Sequence, residues 1–526
     1  MSKWTSEVDI VVVGCGAAGA TAAYEAANAG ADTLLLEKMP FPGGLSIASA
    51  GGARVSENAD SALAYLRTTC GGHTPDDILT VFAEGMTQAP DYLRKLATLC
   101  DAEVRVTSAL GNYPFPGFEA LGYAEIVAVP EIDGKDGYHA MMPVKNGTRF
   151  FRVLEKAAQT AGARIVMNAP VERLISDENG HVTGVLATIK GEQHRIRARH
   201  GVILTCGGFE ASPEMQAQYF QGGPIIPGSF LGNTGDGIRM AQAVGADLWH
   251  MWHYHGPYGL VHPDPDYPFG LFLKAVPMWT PGRLDSLADL GLEPNDPGGP
   301  PRASTKSLAQ LAWIVVDRNG QRFMDEYPPY PGDTGARPFD VYDFASQTFP
   351  RKPAFMIFDE NGRKMYPMGR AVHNDPRERH QWSHDNQTEI DMGIFKKADS
   401  LAELAGLMGI EPAELEKTVA QWNTDCAAAN DTLFGRQPDT MVPLDTAPYY
   451  YGEIQPVVIN TQGGPRRNRH QQVLTPFGDP IPGLYAAGEL GSIFGNVYVS
   501  GGNLTECLIG GWTAARHALS TQTVTA

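Results

Sequence analysis

The most constraining feature of the sequence is one unit near its N-terminus, residues 8–38. An apolar strand runs into Gly14, Gly16 and Gly19, an alanine-rich helix follows, and a second apolar strand ends at Glu37. In such a unit Gly14 allows a tight turn, Gly16 lets the backbone approach a pyrophosphate, and Gly19 lets the helix pack closely on the sheet. The helix's free N–H groups attract phosphates, and the acid accepts hydrogen bonds from a ribose. These features predict dinucleotide binding by an α/β fold.

Length and charge exclude several classes of protein. A chain of 526 residues has room for two or three domains. The formal net charge is −18 and no basic run is present, which argues against nucleic-acid binding and gives no support for docking on an anionic membrane. No apolar run approaches the roughly 20 residues of a membrane span. The predicted first strand leaves no room for a signal peptide, so we expect a cytoplasmic protein.

Cysteine and histidine patterns do not predict a metal site. The six cysteines lie far apart without a C-x-x-C pair, which is typical of reduced thiols. His250, His253 and His255 are closely spaced, but no acid or cysteine stands beside them at ligand spacing. We therefore expect no bound metal, and interpret these histidines as pocket lining or surface.

A family resemblance becomes specific after the second strand. GCGAAG at 14–19, EK at 37–38 and GGLSIASAGG at 43–52 resemble the FAD-binding segment of the fumarate reductase/succinate dehydrogenase flavoprotein family. Members that attach FAD covalently carry a histidine in the last of these loops, and this chain has none there. The resemblance therefore implies FAD held non-covalently.

The resemblance also implies the domain organisation. It predicts an α/β, Rossmann-like FAD-binding domain made discontinuous by an inserted α+β cap or catalytic domain. We place the FAD-binding domain at 1–248 and 448–526 and the cap at 249–447. Residues 249–301 are rich in proline and aromatic residues, have no counterpart in the resemblance, and look too irregular for a sheet. Residues 399–436 resemble the helical part of the family's cap.

Further cofactor contacts follow from the resemblance. Val171 lies where the family contacts adenine, the segment 202–209 passes close to the dinucleotide, and Glu489 in AAGE lies near the ribityl chain. A helix opening near Asn503 would direct its N-terminal dipole at the flavin pyrimidine edge, where negative charge collects on reduction. The predicted cofactor-binding residues are Gly14, Gly16, Ala17, Ala18, Gly19, Glu37, Lys38, Gly43, Gly44, Ser46, Gly51, Gly52, Val171, Cys206, Gly207, Gly208, Gly488, Glu489, Asn503 and Leu504.

The predicted substrate is not a dicarboxylate. Fumarate and succinate enzymes clamp two carboxylates with arginines and a histidine, because paired anions need paired cationic donors. The usual arginine is missing from the C-terminal loop, and Asn460 and Thr461 stand where the histidine is expected. The sequence contains a single dinucleotide fingerprint, so nothing marks a nicotinamide site and we expect an external electron acceptor.

Tyrosines in the chain resemble those of the 3-ketosteroid dehydrogenases. Tyr498 and Gly502 reproduce the spacing Y-x-x-x-G, in which the hydroxyl and the glycine N–H hold the ketone oxygen, and Ser500 completes the Y-x-S of the Δ4-dehydrogenases. Tyr330 falls at the position of the catalytic base, and Tyr113 at that of an assisting tyrosine. For each tyrosine the alternative is a buried aromatic residue with its hydroxyl satisfied.

The chemistry of such a site can be argued from the residues. A C–H bond beside a ketone becomes acidic when two donors stabilise the enolate oxygen, as in an oxyanion hole. Tyrosine has a free pKa of about 10, so a tyrosine base needs a neighbour that lowers its pKa. Tyr113, Phe115 and Tyr123 lie in a long aromatic loop, which is typical of active-site walls, although loop packing is the alternative.

The hypothesis is FAD-dependent desaturation of a cyclic ketone, either a 3-ketosteroid or a smaller cyclohexanone-type ring. The prolines and tryptophans of 249–301 favour the smaller ring. One alternative is the reverse reaction, an enone or enoate reductase with an outside electron donor, and another is a flavin electron-transfer subunit without its own substrate. The sequence leaves the substrate, the direction, the acceptor and the oligomeric state open.

Overall fold

The computed structural model describes residues 3–135, 144–274, 310–327, 331–370 and 382–521. The predicted base Tyr330 and residues 275–301 of the proline-rich segment lie outside these ranges. The chain divides into two compact units, and both are discontinuous in sequence. The first comprises Met1–Tyr219, Phe230–Tyr254 and Asn460–Ala526, and the second comprises Phe220–Ser229 and His255–Ile459.

The first unit is built on a mostly parallel sheet. Neighbouring strands follow the order Gln472–Leu474, Pro480–Ala486, Glu192–Leu204, Ser6–Val13, Thr33–Leu36 and Arg164–Val166. All neighbours along this path are parallel except the edge strand Gln472–Leu474, and the hairpin Val171–Ser176 and Val182–Ile189 extends Glu192–Leu204. The carboxyl-terminal parts of the central strands, Val11–Val13, Leu34–Leu36 and Val202–Leu204, are apolar and buried, as is typical of a parallel sheet covered on both faces. The predicted α/β class is confirmed.

Small residues let helices pack closely on this sheet and on each other. A Cβ at Gly19, in the helix Ala17–Asn28, would overlap the Gly14 carbonyl oxygen at the end of the first strand. A Cβ at Gly511, in the helix Gly502–Ser520, would lie 2.8 Å from the carbonyl oxygen of Ala18. The glycines therefore set the spacing between these layers.

The remaining elements of the first unit surround this core. A three-stranded antiparallel sheet contains Gly52–Ser56, Leu121–Ala128 and Glu103–Ser108, and Leu248–Trp249 pairs with Gly464–Pro465. The other helices and helical turns are Gly44–Ala48, Ala59–Cys70, Asp76–Ala97, Thr98–Cys100, Phe118–Ala120, Asn146–Thr160, Pro213–Tyr219 and Asp236–Ala243. Among the described helices, none combines the length and apolar character needed to cross a bilayer.

The second unit contains a largely antiparallel sheet. Its order is Ile314–Val316, Ala354–Asp359, Tyr449–Val458, Tyr258–Leu260, Leu271–Leu273 and Gly369–Arg370, and Ile226–Pro227 and Lys396–Ala398 also pair with Tyr449–Val458. Its helices and helical turns are Pro331–Thr334, Arg337–Phe339, Glu360–Met365, Gln387–Asp391, Leu401–Met408, Pro412–Ala428 and Pro438–Thr440. Leu401–Met408 and Pro412–Ala428 are the pair of helices predicted for residues 399–436.

Two sequence expectations can be compared with this unit. The prediction that residues 249–301 contribute nothing to a sheet is wrong, because Tyr258–Leu260 and Leu271–Leu273 are sheet strands. They are too short to show an alternating pattern. The domain boundaries stay a prediction, although Tyr449–Val458, which we assigned to the FAD-binding domain, pairs along its length with Ala354–Asp359 of the second unit.

A buried ionic network stabilises the second unit. The Glu326 carboxylate accepts hydrogen bonds from Arg322 at 2.8 and 2.9 Å and from Arg436 at 3.2 Å. Arg322 also forms two hydrogen bonds with Asp431, at 3.0 and 3.1 Å. All four side chains are almost wholly excluded from solvent. The two arginines and the two carboxylates therefore form one connected network of buried charges.

We expect Glu326→Gln to destabilise the second unit strongly. Removing one charge leaves two buried guanidinium groups undercompensated, which should cost about 3–5 kcal/mol of unfolding free energy. Chemical denaturation followed by tryptophan fluorescence measures the loss. Glu416→Gln, at an exposed position, is the control and should change stability by less than about 0.5 kcal/mol. Equal stability of the two variants would contradict this role for the network.

Candidate functional site

A cavity lies in the first unit at the carboxyl ends of its parallel strands. It is open to solvent, spans about 780 Å³ with the solvent space at its mouth included, and is bordered by Val13, Leu36 and Thr205, at the ends of three neighbouring strands. This edge of an α/β sheet is where ligands bind. Many predicted cofactor contacts line the cavity: Gly14, Gly16, Ala17, Ala18, Glu37, Lys38, Gly44, Ser46, Val171, Cys206, Gly207 and Glu489.

The glycine turn fits the phosphates of a dinucleotide. Gly14 has a φ of +100°, and a Cβ there would lie 2.5 Å from the Thr205 carbonyl oxygen. A Cβ at Gly16 would approach no protein atom closer than the Ser46 hydroxyl, at 3.6 Å, although Gly16 borders the cavity. The N-cap residue Gly16 has no side chain to cap the helix starting at Ala17, and the Ala17 N–H donates to the Ser46 hydroxyl at 3.1 Å. The open space beside Gly16 and the helix dipole are thus suited to an anion, and the Ser46 hydroxyl is placed beside the same helix end.

Glu37 and Lys38 stand at the end of the second strand. The Glu37 carboxylate accepts hydrogen bonds from the Cys15 N–H at 2.7 Å and from the Met39 N–H at 2.8 Å, and burial raises the pKa of this carboxyl. Lys38 Nζ lies 2.6 Å from Asp236 and donates to the Thr234 hydroxyl at 2.7 Å. Glu37 is therefore fixed at the cavity wall, as ribose binding requires, and the charge of Lys38 is balanced by Asp236.

A second acidic feature borders the cavity at Glu489. The Asn233 side-chain amide donates to Glu210 at 2.6 Å and to Glu489 at 3.3 Å, and the Thr461 N–H donates to Glu489 at 3.0 Å. Burial raises the pKa of both carboxyls, that of Glu489 to about 8, and the mutual repulsion of the two carboxylates opposes a second ionisation. The pair therefore retains at least one proton at neutral pH. Sequence reasoning found Glu489 but missed Glu210 and Asn233.

The other predicted cofactor contacts lie outside the cavity wall. Gly43 donates its N–H to the Cys15 carbonyl at 2.7 Å, which holds the loop 43–52 against the glycine turn. Gly51 is packed on the Asn146 backbone and Gly52 on the Tyr123 ring. The predicted contacts in this group are Gly19, Gly43, Gly51, Gly52, Gly208, Gly488, Asn503 and Leu504.

A buried ion pair organises the segment between Ala486 and the C-terminal helix. Arg467 donates to the carbonyl oxygens of Ala486, Gly488 and Leu490 and forms a salt bridge with Glu506. Glu506 also accepts hydrogen bonds from the Ser492 hydroxyl, the Ile493 N–H and the Asn503 side chain, at 2.8, 2.9 and 3.1 Å. The AAGE turn and the start of the helix are thus fixed to one another.

Tyr498 precedes that helix and is buried. Its ring packs edge to face on Phe494, with 5.4 Å between ring centroids, and its hydroxyl lies 3.4 Å from the Asn503 N–H. Burial raises the pKa of this phenol well above its usual value, so it stays protonated and able to donate. The Gly502 N–H, predicted to share the ketone oxygen, instead donates to the Val499 carbonyl at 2.7 Å.

The structure brings the segments of Ser500 and Tyr113 together. The Ser500 N–H donates to the Asn112 side chain at 2.8 Å, and Arg54 donates to the Ser500 carbonyl at 3.1 Å. Tyr113 is buried, and its ring stacks on Phe115 with centroids 5.3 Å apart. Sequence reasoning missed Arg54 and Asn112, although a charged residue within the small-residue strand GGARVS was an available indication.

The histidines predicted as lining are packed against backbone. His250 Nδ1 lies 2.7 Å from the Ser492 carbonyl oxygen, and His253 Nδ1 lies 2.5 Å from that of Phe494. Burial lowers the pKa of His250 to about 4. Across the described ranges, no three acidic, cysteine or histidine side chains form a cluster that could hold a metal ion.

Comparison with known proteins identifies relatives over nearly the whole chain. A family model described as an FAD binding domain matches residues 9–266 and 295–504. The chain is 28% identical to a urocanate reductase of Eggerthella lenta, across 98% of this chain and 75% of that protein. It is 27% identical to a 4-oxocyclohex-2-ene-1-carboxylate 5-dehydrogenase of Sinomonas cyclohexanicum, across 97% of this chain and 94% of that protein. The solved structure of the 3-ketosteroid Δ1-dehydrogenase of Sterolibacterium denitrificans shares the fold, with a TM-score of 0.75 at 23% identity. The match covers 98% of this chain and 100% of that one.

Two glycine substitutions should separate folding from cofactor binding. Gly19→Ala forces a methyl group onto the Gly14 carbonyl and should cost about 1–3 kcal/mol of unfolding free energy. Gly16→Ala should leave stability within about 0.5 kcal/mol, because its methyl group would make only ordinary van der Waals contacts, at 3.6 Å to the Ser46 hydroxyl and 3.9 Å to the Gly43 carbonyl oxygen. It should weaken FAD binding about tenfold or more, since the space beside Gly16 is where a pyrophosphate would lie. Denaturation and fluorescence titration with FAD measure the two effects, and a Gly16→Ala variant with unchanged FAD affinity would contradict the assignment.

The acidic pair should make the stability of the cofactor-free protein depend on pH. Because burial raises both pKa values, the pair's contribution to the stability of the folded state is fully present below the unfolded pKa of about 4 and is lost as pH rises towards 8. Each group contributes at most about 1.4 kcal/mol per pH unit. Glu210→Gln should make this decline shallower in melting curves between pH 5 and 8. Glu214→Gln, at an exposed position, is the control, and parallel pH profiles for both variants would exclude a protonated pair.

Proposed function

The chain belongs to the FAD binding domain family of flavoprotein oxidoreductases, which includes fumarate reductase-like flavoproteins and 3-ketosteroid dehydrogenases, and we propose that it desaturates a cyclic ketone beside the carbonyl group. Bound FAD would supply the acceptor for a hydride equivalent. The residues that would hold it are those of the cavity, with Gly16 and the helix N-terminus at the phosphates, Glu37 at a ribose and Glu489 near the ribityl chain. The loop without a histidine supports non-covalent binding.

The observation that carries the proposal is the chemistry of the turn before the C-terminal helix. Residues 486–504 contain no arginine, lysine or histidine. At the predicted substrate position in this segment, the buried polar side chain is that of Tyr498, a neutral phenol. A neutral donor suits a ketone oxygen, whereas a carboxylate calls for a cationic partner. The turn is therefore suited to a carbonyl group.

Tyr498 would stabilise the charge that develops on the ketone oxygen. Its proton is retained because burial raises its pKa, so it can donate as the α-carbon loses a proton. The second donor in the proposal is the Gly502 N–H, which would exchange the Val499 carbonyl for the substrate oxygen. Tyr330 remains the proposed base, with Tyr113 assisting, and its pKa would need lowering by a neighbouring group.

The relatives favour a ring ketone as the substrate class. One acts on 4-oxocyclohex-2-ene-1-carboxylate and another on 3-oxosteroids, and both names describe a carbonyl in a six-membered ring. Of the two, a small ring agrees better with the proline-rich and tryptophan-rich segment 249–301. The external acceptor remains part of the proposal, because the sequence contains a single dinucleotide fingerprint.

The main alternative is the reverse reaction, reduction of an enone or enoate. The similarity to a urocanate reductase favours it. The two directions share one transition state, so the direction is decided by the electron donor or acceptor. Anaerobic mixing separates them: a saturated ketone should bleach the oxidised flavin band of a desaturase. Bleaching by none of a panel of saturated cyclic ketones, with reoxidation of the reduced enzyme by enones, would favour the reductase.

Tyr498→Phe tests the proposed donor. It removes one hydroxyl and should lower kcat/KM for the ketone by about 10²–10³-fold, as loss of an oxyanion donor does, while FAD binding stays unchanged. Tyr485→Phe is a matched control, since Tyr485 is also buried but its hydroxyl contacts His517. Turnover assays with an artificial electron acceptor make the comparison. Full activity of Tyr498→Phe across the panel would place the substrate elsewhere.

A further inference from the structure

Arg54 is a fully buried arginine in the strand Gly52–Ser56. Its Nε donates to the Ser500 carbonyl oxygen at 3.1 Å, and its terminal nitrogens donate to the carbonyl oxygens of Ala109 and Leu110 at 3.2 and 3.3 Å. A further hydrogen bond, of 3.3 Å, goes to the Asn112 side-chain oxygen. Every one of these acceptors is neutral.

The other two fully buried arginines of the described ranges each have a carboxylate partner. Arg467 pairs with Glu506, and Arg436 with Glu326. Arg54 differs, because no carboxylate of a described residue lies within 4.0 Å of its guanidinium nitrogens. A guanidinium group does not lose its proton in proteins, so a permanent positive charge remains in the interior without a counter-ion.

Burying a charge without a counter-ion costs folding free energy, so we infer that the charge has a function. Neutral oxygens and the Tyr123 ring, 4.1 Å from the guanidinium carbon, offset only part of the desolvation cost. A carboxylate in this position would neutralise the charge of Arg54, and Asn112 is the isosteric amide of one. Because residue 112 is an amide and not a carboxylate, it does not neutralise the positive charge of Arg54.

The charge lies next to the segments that carry the proposed catalytic tyrosines. Asn112 precedes Tyr113 and also accepts a hydrogen bond from the Ser500 N–H at 2.8 Å. The main-chain N–H of Arg54 donates to the Gly501 carbonyl oxygen at 3.1 Å, and the main-chain carbonyl of Arg54 accepts from the Thr505 hydroxyl at 2.6 Å. Arg54 thus holds the turn between Tyr498 and the C-terminal helix.

We propose that Arg54 is a positioning residue for this turn and that its uncompensated charge stabilises the negative charge gained by the site when the flavin is reduced. The inference rests on the proposed function for the identity of the site. It differs from that proposal because the fixed charge acts on the bound cofactor whichever substrate is turned over. It also explains why a turn without cations can accept negative charge.

Asn112→Asp tests the inference without removing Arg54. The new carboxylate would accept the same hydrogen bonds from Arg54 and Ser500, and chemical denaturation checks that the variant is folded. By neutralising the guanidinium it should shift the reduction equilibrium of bound FAD at least tenfold towards the oxidised form, which is about 30 mV for a two-electron couple. Equilibration of the FAD-loaded protein with a reference dye measures the shift.

Arg54→Lys and Arg54→Gln complete the experiment. Arg54→Gln should shift the equilibrium in the same direction as Asn112→Asp, and Arg54→Lys should stay within about threefold of the unmodified protein because it keeps the charge. Asn58→Asp, at an exposed helix cap, controls for added negative charge. An unchanged equilibrium in Asn112→Asp, or equal shifts in Arg54→Lys and Arg54→Gln, would overturn the inference. Because this measurement uses no ketone, it can succeed or fail independently of the proposed substrate.

Discussion

The buried ion pair between Arg467 and Glu506 is the interaction on which the site depends. The guanidinium donates to two carbonyl oxygens of the AAGE turn and to that of Leu490, and the carboxylate accepts hydrogen bonds from the following loop and from the helix Gly502–Ser520. Both side chains are almost completely excluded from solvent. Their desolvation is tolerable only because so many hydrogen bonds accompany the pair. The pair therefore fixes the position of Tyr498 relative to Glu489.

Charge is distributed unevenly around this centre. Towards the cavity, Glu210 and Glu489 retain at least one proton, so the wall carries less negative charge than its composition implies. Beside the Tyr498 turn, Arg54 has no carboxylate of a described residue within salt-bridge distance. Both features lower the cost of adding negative charge to a site that must hold an anionic dinucleotide. The formal charge of −18 is a sum over the whole chain and gives no guide to the charge distribution in this interior.

The sequence predicted the parts of the site that depend on local spacing. The glycine turn, Glu37 and the AAGE turn follow from short motifs with a known geometry, and they line one cavity in the structure. Arg54, Asn112, Glu210 and Asn233 were missed because their partners lie far away in the chain, in contacts that only folding creates. The hydrogen bond from the Gly502 N–H to the Val499 carbonyl oxygen was also missed. It forms within one short turn, and residue spacing does not predict the backbone geometry of such a turn.

The most direct test of the account is a crystal structure of the FAD-loaded protein with a non-reactive cyclic enone or phenol. The account predicts the ligand oxygen within hydrogen-bonding distance of the Tyr498 hydroxyl, with the ligand ring facing the flavin. A ligand oxygen held by a charged side chain, or a Tyr498 hydroxyl directed away from the flavin, would contradict it.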